Sequence, residues 1–524
     1  MTFVLRVLCP FREEEFDMAG ESLRDCFVDS FLRQGEKKAI CFLRGGMKET
    51  EISYLELDRS SNRMANFFLE LGVKKGDRVI LYLQKSVGFI VAHLAVQKIG
   101  AVAVPLNPGF KQSEMEYLLE DAEAKLVLAG SEQEAIIKDI DPRLTTLVIA
   151  TERPYQELDF FRAAPDSMPQ VDIRPEDTGL IIYTSGTTGK PKGSILTHKN
   201  LVCDARNVIN IWKISESDVL CHALPLFHVH GLCFALHTAL MAGARVVMTD
   251  EFSPEKVIEV LAQKEGEYAP NVFMAVPSMY GKLLGYVGEK VLDFDHIRLW
   301  TSGSAPLLPK DFDRIKRVFG KEPVEREGMT ETGMNFSNPL GGVRKPGSIG
   351  IPLPGVEVRI VNAETFADLA RGETGEIWLK GPNVTPGYWR KPEETSKTFE
   401  KDWFKTGDLG RIDEDGYYYL TDRIKHIIIS GGENISPKEV ETVINQFDGV
   451  AESSVVGISD EKWGEKVVAA VVTRPGSEVK GEEIQRFCKE HLHNWKCPKE
   501  IVFLKELPKN KMGKVLKEEV KKFF

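Results

Sequence analysis

Residues 183–193 contain the groups that a phosphate clamp requires. The run reads Tyr-Thr-Ser-Gly-Thr-Thr-Gly-Lys-Pro-Lys-Gly. Its glycines allow open or left-handed backbone conformations, so successive N–H groups can turn toward one anion. Hydroxyls and two cations add further donors to these N–H groups. The run therefore predicts a nucleotide ligand, bound by Thr184, Ser185, Gly186, Thr187, Thr188, Gly189, Lys190 and Lys192.

The spacing of this run differs from the two common nucleotide fingerprints. Two residues separate Gly186 from Gly189, whereas Gly-x-x-x-x-Gly-Lys has four, and no Gly-x-Gly-x-x-Gly follows a predicted strand. A kinase-like P-loop and a dinucleotide fold are both disfavoured. The apolar residues 180–182 predict a short buried strand that supplies rigidity to the run.

Six further segments contain residue types that suit the same ligand. They are Thr301-Ser302-Gly303-Ser304-Ala305-Pro306, Gly328-Met329-Thr330-Glu331, Thr406-Gly407-Asp408, Asp422-Arg423-Ile424-Lys425, Ser430-Gly431-Gly432-Glu433-Asn434 and Lys509-Asn510-Lys511-Met512-Gly513-Lys514. In this order and spacing, the chain from about residue 31 to its end resembles the adenylate-forming enzymes, in particular the AMP-forming acyl-CoA synthetases. The resemblance implies two steps: a carboxylate and ATP give an acyl-adenylate and pyrophosphate, and CoA then forms the thioester and releases AMP.

The resemblance also implies roles for individual residues in adenylation. Glu331 is expected to bind Mg²⁺ together with Thr184, and Thr330 to donate to the α-phosphate. Lys514 is expected to bridge the attacking carboxylate and the phosphate. The ribose is assigned to Asp408 and Arg423, and the rest of the nucleotide to Gly303, Ser304, Ala305, Glu327, Gly328 and Met329. Glu327 departs from the family pattern, which has an aromatic residue stacking on adenine at this position.

For the second step, the resemblance implies that a C-terminal domain moves. The expected boundaries are 1–424 for the adenylation domain, which binds ATP and the acyl substrate, and 425–524 for the mobile domain. Lys425 matches the hinge. The small loop Gly431-Gly432-Glu433 would replace the Lys514 loop and leave room for the pantetheine arm of CoA.

The acyl group is less well specified by the sequence. His228 matches the family position beside the acyl carboxylate, and Val276, Lys282, Ser302, Met329 and Met334 are the other candidates for the pocket. His228 and His230 have a strand-like spacing, but a metal site is disfavoured because no third ligand follows at a matching interval. His230 stays open between a packed histidine and a functional one.

Two classes of acid remain open. The segments around His228 and Met329 resemble malonyl-CoA synthetases, which hold the far carboxylate with an arginine, but this chain has Lys282 at that position. Lysine is a point charge without a bidentate fork. We therefore favour a compact short-chain, alicyclic or aromatic acid, with malonate as the alternative.

The elements that must position these residues follow from the apolar pattern. Strand-like runs alternate with helical stretches from residue 76 to 129 and again from 244 to 303, which predicts two parallel-type sheets with covering helices. Short strands punctuated by glycine and proline over residues 347–381 predict a small β-barrel. The last hundred residues predict a small α+β domain, whose first helix begins with Ser436, Pro437 and a capping-box Glu439.

Bulk properties exclude several classes of function. A length of 524 residues with 42% apolar residues predicts two or more globular domains. A net charge of −10 argues against a nucleic-acid partner. The eight cysteines are scattered and no apolar run approaches a membrane span, so we expect a cytoplasmic protein, monomeric or homodimeric, with no integral membrane segment.

Two other functions are compatible with part of this pattern. An adenylation enzyme that loads a carrier protein shares the first step, but the ten residues after Lys514 are too few for a carrier domain. A non-catalytic protein that binds nucleotide or acyl-CoA is conceivable because of Glu327. Retention of Glu331, Asp408, Arg423 and Lys514 favours the enzyme.

Overall fold

The computed structural model describes residues 20–184, 190–430, 433–461, 463–510 and 513–524. The chain forms two compact units. One extends up to Glu357 and includes Lys380–Phe404, and the other contains Val358–Leu379 and Lys405–Phe524. The chain therefore enters the second unit, returns to the first, and leaves it again. The functional boundary at residue 425 stays a prediction.

The helices and strands up to residue 352 are the following: α1 (Leu23–Gln34), β1 (Lys38–Arg44), β2 (Met47–Ser53), α2 (Tyr54–Glu70), β3 (Arg78–Tyr82), α3 (Val87–Lys98), β4 (Val102–Pro105), α4 (Gln112–Ala122), β5 (Leu126–Ala129), α5 (Glu134–Ile140), β6 (Thr146–Val148), β7 (Thr178–Thr184), β8 (Lys192–Thr197), α6 (His198–Trp212), β9 (Val219–His222), a π-helical segment (His230–His237), α7 (Thr238–Ala242), β10 (Arg245–Thr249), α8 (Pro254–Leu261), β11 (Val272–Ala275), α9 (Pro277–Val287), β12 (Leu299–Ser302), α10 (Pro309–Phe319), β13 (Val324–Met329), β14 (Gly333–Ser337) and β15 (Ile351–Pro352).

The rest of the chain contains β16 (Glu357–Val361), β17 (Gly375–Lys380), α11 (Pro392–Thr398), β18 (Phe399–Glu400), β19 (Trp403–Ile412), β20 (Tyr418–Arg423), β21 (Ile428–Ser430), β22 (Glu433–Ile435), α12 (Pro437–Ile444), β23 (Val450–Asp460), β24 (Gly464–Thr473), α13 (Gly481–His491), β25 (Glu500–Phe503) and α14 (Lys517–Lys521). Short 3₁₀ turns lie at Tyr155–Glu157 and Ile424–His426.

Two large sheets form the first unit. One has nine strands in the order β15-β14-β13-β12-β11-β9-β10-β1-β2, and the other has six in the order β6-β5-β3-β4-β7-β8. Strands β3, β4, β5 and β6 pair in parallel, as do β1, β10, β9, β11, β12 and β13. The predicted α/β class with two parallel-type sheets is confirmed.

Burial explains why the sequence of these elements reads as continuous apolar runs. All residues of β4, β5 and α3 are buried. A parallel strand covered on both faces needs no polar side, so its sequence loses the alternation of a half-exposed strand. The predicted alternation of strands and helices over residues 76–129 and 244–303 is confirmed.

The phosphate run connects β7 to β8 at one edge of the six-stranded sheet. The two strands are antiparallel, with Tyr183 opposite Gly193 and Thr184 opposite Lys192. The predicted buried strand over residues 180–182 is confirmed as the middle of β7. Both ends of the run are thereby fixed by a sheet whose core is buried.

The second unit contains two smaller sheets. Strands β16, β17, β19 and β20 form one, with β20 beside β19, and β18 pairs with the start of β19. The other has the order β22-β21-β24-β23, with β25 parallel to β24. Helices α12 and α13 contribute Val440, Ile444 and Ile484 to its core. The predicted α+β character of the C-terminal region is confirmed.

The strand-like spacing of His228 and His230 does not correspond to a strand, because His228 lies at a bend and His230 begins the π-helical segment. One local prediction was wrong. Ser436 caps α12 by accepting from the Glu439 N–H, but the Glu439 carboxylate accepts from Lys496 Nζ at 2.7 Å and does not complete a capping box. The lysine lies 57 positions away, so its competition is invisible in the local pattern.

Removal of the Ser436 hydroxyl should loosen the start of α12. Ser436 accepts from Glu439 N at 3.3 Å and donates to Asp422 Oδ2 at 2.6 Å. We expect Ser436→Ala to cost about 1–2 kcal/mol locally, because a helix cap and a charge-assisted bond are lost together. Amide hydrogen exchange of the peptide over residues 436–444 would measure this. Ser459→Ala, on the exposed part of β23, is the matched control, and equal effects in the two variants would contradict the assignment.

Candidate functional site

Glu331 joins three parts of the first unit. It lies in the turn between β13 and β14 with 8% of its surface exposed. Its Oε1 accepts from Thr184 Oγ at 3.2 Å and from Tyr388 Oη at 3.2 Å. Thr184 and Glu331, both predicted as metal ligands, are thus adjacent although 147 positions separate them. A largely buried carboxylate with free oxygen lone pairs beside a hydroxyl is a donor set that suits a hard cation.

The two lysines of the phosphate run differ in their surroundings. Lys190 is exposed, and its Nζ lies 5.1 Å from the ring centroid of Tyr117. Lys192 is ion-paired with Glu394, and its Nζ lies 5.2 Å from the ring centroid of Tyr388. A polyphosphate at Lys192 would therefore have to compete with Glu394 for the ammonium group.

Asp121, at the end of α4, braces the run from behind. It accepts from Tyr183 Oη at 2.8 Å and from Tyr117 Oη at 3.2 Å, and it is ion-paired with Lys391 at 2.7 Å. Tyr117 also donates to the Pro191 carbonyl at 2.9 Å. The buried Asp121 carboxylate therefore holds the Tyr183 side chain at the start of the run directly, and it reaches the other end through Tyr117, which contacts the Pro191 carbonyl.

The nucleotide segment after β12 and the strand β13 adjoin each other. Ser304 has a left-handed backbone, with φ of 68°, and its Oγ lies 3.2 Å from His230 Nδ1. Gly303 and Ala305 flank it. The Glu327 carboxylate, where an aromatic was expected to stack, accepts from Asn335 Nδ2 at 3.1 Å. Met329 and Gly328 follow on β13, and Thr330 begins the turn that leads to Glu331.

The candidates for the acyl pocket separate by exposure. Val276, Ser302 and Met334 are buried, whereas Lys282 is exposed on α9. His228 lies at its bend with its ring 4.6 Å from that of Phe227, measured between centroids. Lys282 therefore differs from the three buried candidates in being open to solvent.

In the second unit, Asp408 and Arg423 face each other across β19 and β20. Arg423 Nε lies 2.6 Å from Asp408 Oδ1. Burial raises the pKa of Asp408, while the charges of Arg423 and Lys514 act against that rise. The Lys514 N–H donates to Asn510 Oδ1 at 3.0 Å. Lys425 and Glu433 are exposed.

Seven of the predicted site residues lie outside the described ranges. They are Ser185, Gly186, Thr187, Thr188 and Gly189 of the phosphate run, and Gly431 and Gly432 of the predicted CoA loop.

Sequence reasoning missed Asp121 and Tyr388. Each is a common surface residue type in a segment without special spacing, and each reaches the phosphate run across a long sequence separation. The one available signal was the compact cluster Tyr388-Trp389-Arg390-Lys391, whose aromatic and basic residues return to β8.

Parallel-type sheets, a glycine- and lysine-rich run at a sheet edge and the buried Glu331 carboxylate beside it are typical of an enzyme that binds a nucleotide. The model of the AMP-binding enzyme family matches residues 27–389, and that of the AMP-binding enzyme C-terminal domain matches residues 439–514. The chain belongs to this adenylate-forming family.

Within the family, the chain is similar to CoA ligases. It is 35% identical to the mitochondrial malonate–CoA ligase of Bos taurus, over 95% of this chain and 90% of the relative, and 35% identical to the oxalate–CoA ligase of Arabidopsis thaliana, over 89% and 92%. The crystal structure of ATP-bound MatB from Rhodopseudomonas palustris superposes with a TM-score of 0.89 at 36% identity, covering 96% of this chain and 99% of that one. The protein is an ATP-dependent carboxylate–CoA ligase, an acid–thiol ligase whose substrates are a carboxylic acid, ATP and CoA.

None of the helices within the described ranges has both the length and the apolar character that a membrane span requires.

Neutralising the Asp121 carboxylate should weaken ATP binding more than it lowers overall stability. We expect Asp121→Asn to raise the KM for ATP by about 10-fold, because Lys391 loses its partner and the run loses its brace. Steady-state kinetics with varied ATP would measure this, with the melting temperature recorded alongside. Asp139→Asn, at an exposed position of α5, is the control, and an unchanged KM for ATP in Asp121→Asn would contradict the bracing role.

Proposed function

We propose that this protein joins a compact carboxylic acid to CoA through an acyl-adenylate, and that the predicted residues perform both steps. The convergence of Thr184, Tyr388 and Glu331 supports the proposal, because it brings the predicted metal ligands to the end of the phosphate run. The domain boundary at residue 425 belongs to the same proposal.

Adenylation requires a carboxylate to attack the α-phosphorus of ATP, and the two anions repel each other. Phosphoryl transfer needs positioning and charge neutralisation more than it needs a protein nucleophile. Lys190, Lys192 and the backbone of the run would hold the polyphosphate. Thr330 would donate to the α-phosphate, and Lys514 would neutralise charge shared between the two reactants. His228 would stand beside the acyl carboxylate.

Mg²⁺ fits the residues present at Glu331. The cation prefers one or two carboxylates together with substrate phosphates, at oxygen ligands only. Glu331 would supply the carboxylate and Thr184 a neighbouring hydroxyl. When bound, Mg²⁺ would neutralise phosphate charge.

The nucleoside would be held largely by the second unit. Asp408 is an acceptor and suits the ribose hydroxyls, and its ion pair with Arg423 fixes its orientation. Glu327 accepts a hydrogen bond from Asn335. It would therefore line the adenine region and offer a hydrogen-bond acceptor there, but it would not stack on the base.

Thioester formation would follow a movement about Lys425. Lys514 would occupy the acyl-phosphate region in the first step, and the loop that includes Glu433 would replace it in the second. Exposure of Lys425 and Glu433 is consistent with residues that change their surroundings. A cytoplasmic location is also proposed, since the seven described cysteines are all unpaired thiols.

Malonate is the second candidate for the acid. The names of the relatives include malonate–CoA and oxalate–CoA ligases. The choice between a monocarboxylate and a dicarboxylate depends on whether the acyl pocket contains a cation.

Loss of the Lys514 ammonium should separate the two steps. We expect Lys514→Ala to lower acid-dependent pyrophosphate release by about 100- to 1,000-fold, because one electrostatic contact to the transition state is removed. Thioester formation from chemically prepared acyl-adenylate should stay within about fivefold of wild type, since Lys514 is not needed there. Acids for the assay are malonate, methylmalonate, butyrate, cyclohexanecarboxylate and benzoate.

Lys522→Ala removes an exposed charge from the same tail and serves as the control. Equal losses in both steps would contradict the assignment of Lys514. Pyrophosphate release without thioester formation by the wild type would indicate a carrier-loading enzyme, and no release with any acid would indicate a binding protein.

Neutralisation of Glu331 should alter the Mg²⁺ requirement. We expect Glu331→Gln to reduce kcat by about 100-fold and to shift the Mg²⁺ dependence to higher concentration, because the carboxylate ligand is lost. Initial rates across a Mg²⁺ titration would measure both. Glu393→Gln, exposed at the start of α11, provides the comparison, and an unaltered Mg²⁺ curve in Glu331→Gln would count against the metal role.

A further inference from the structure

Arg326 is a buried cation in the middle of β13. Its exposed fraction is 3%. None of its three guanidinium nitrogens has a hydrogen-bond partner among the described residues. Burying a charge without partners is costly, so such a residue in a folded enzyme calls for a function. Burial lowers the pKa of Arg326 to about 10, which still leaves the group charged at neutral pH.

Two contacts fix where the guanidinium lies. Its Cζ stands 5.1 Å from the ring centroid of Phe234, at the π-helical segment. A Cβ added to Gly303 would come within 2.5 Å of Arg326 Nε and 2.6 Å of its Cζ. Only glycine permits this approach, so the cation lies directly against the backbone of the segment that is expected to hold the adenylate.

Two acids, Asp204 and Glu327, stabilise the charge of Arg326 without forming a hydrogen bond to it. Asp204 Oδ1 accepts from the Met334 N–H at 2.7 Å, and burial raises the pKa of Asp204 to about 7. Glu327 accepts from Asn335. Both charges favour the guanidinium ion, but no described carboxylate forms a hydrogen bond with it. The fork of donors that suits a bidentate carboxylate thus stays available.

A second buried polar atom without a hydrogen-bond partner in the described ranges lies near Arg326. It is His230 Nε2, and burial, followed by the charge of Arg326, lowers the pKa of His230. Together with Arg326, His230 can supply hydrogen bonds to one anion.

We propose that Arg326 binds the second carboxylate of a short dicarboxylic acid, with His230 as a further contact. The inference rests on the proposed function, since it concerns the acid that is adenylated. The chain of the acid must be short because Arg326 touches Gly303, beside the expected position of the reacting carboxylate. Lys282, the residue that the sequence suggested for this role, is exposed.

The test compares acids and variants in one assay. The probes are malonate and succinate against butyrate and benzoate, and the readouts are kcat/KM for acid-dependent pyrophosphate release, the KM for ATP, and the melting temperature. We expect the wild type to prefer malonate over butyrate by about 100-fold or more, as charge pairing in a buried site allows.

Arg326→Gln should remove this preference. We expect kcat/KM for malonate to fall by about 100-fold, while that for butyrate changes less than about fivefold and the KM for ATP stays the same. Arg326→Lys keeps the charge without the fork and should recover part of the malonate activity. Arg317→Gln, ion-paired with Glu289 on the surface of α10, is the matched control.

Three outcomes would overturn the inference. The wild type could turn over butyrate as well as malonate, Arg326→Gln could lower the rates for all acids equally, or Lys282→Ala could reproduce the selective loss of malonate. The comparison of malonate with butyrate needs only the wild-type protein. It therefore tests the inference even if a variant fails to fold. Turnover of monocarboxylates only would sustain the ligase and exclude the dicarboxylate, whereas no turnover of any acid would contradict both.

Discussion

Every ligand that this enzyme converts is an anion, and the chain that binds them has a net charge of −10. The overall field therefore repels the substrates, and attraction must come from individual cations held at fixed places. Several of these cations already have an acidic partner: Lys192 has Glu394, and Arg423 has Asp408. If ATP binds at these positions, as we propose, a carboxylate of the protein would give way to a phosphate or turn toward a hydroxyl.

Arg326 differs from these cations because no described carboxylate forms a hydrogen bond with it. Its positive charge is balanced only at a distance, by Asp204 and Glu327. A cation in this state gains more from an incoming anion than a paired one does, since nothing has to be displaced. We infer that the paired cations would hold the nucleotide, whereas Arg326 would select the acid.

The elements of the large sheets were predictable because an element that is buried on all sides has apolar residues at nearly every position. β7 and α3 are recognised from unbroken apolar runs with short polar ends. The order of the chemical segments was equally readable, since glycines, hydroxyls and cations cluster locally. Proximity of Thr184 to Glu331 followed from the resemblance and not from the pattern, because 147 positions separate them.

The features that could not be predicted from the sequence depend on contacts between residues that are far apart in the chain. Glu439 stands in a correct capping-box position, yet Lys496 holds its carboxylate. Arg326 stands between two glutamates and reads as part of a solvated strand, although the sheet buries it. The paired histidines have a strand-like spacing, but the bend at His228 leads into a helix. In each case the local structure depends on residues of another helix or strand, and the spacing of nearby residues in the sequence does not reveal these contacts.

Asp121, which braces the phosphate run, is ion-paired with Lys391, and this pair can form only late in synthesis of the chain. Asp121 and Lys391 are 270 positions apart, and the chain visits the second unit before residues 380–404 return to the first. β8 ends at Thr197, so the six-stranded sheet can form on the ribosome well before its brace exists. Translation of the roughly 200 residues in between takes about 10 to 40 seconds at ordinary rates. For that interval the edge strand β8 also lacks its backbone contacts with residues 387–389, which favours chaperone binding during synthesis.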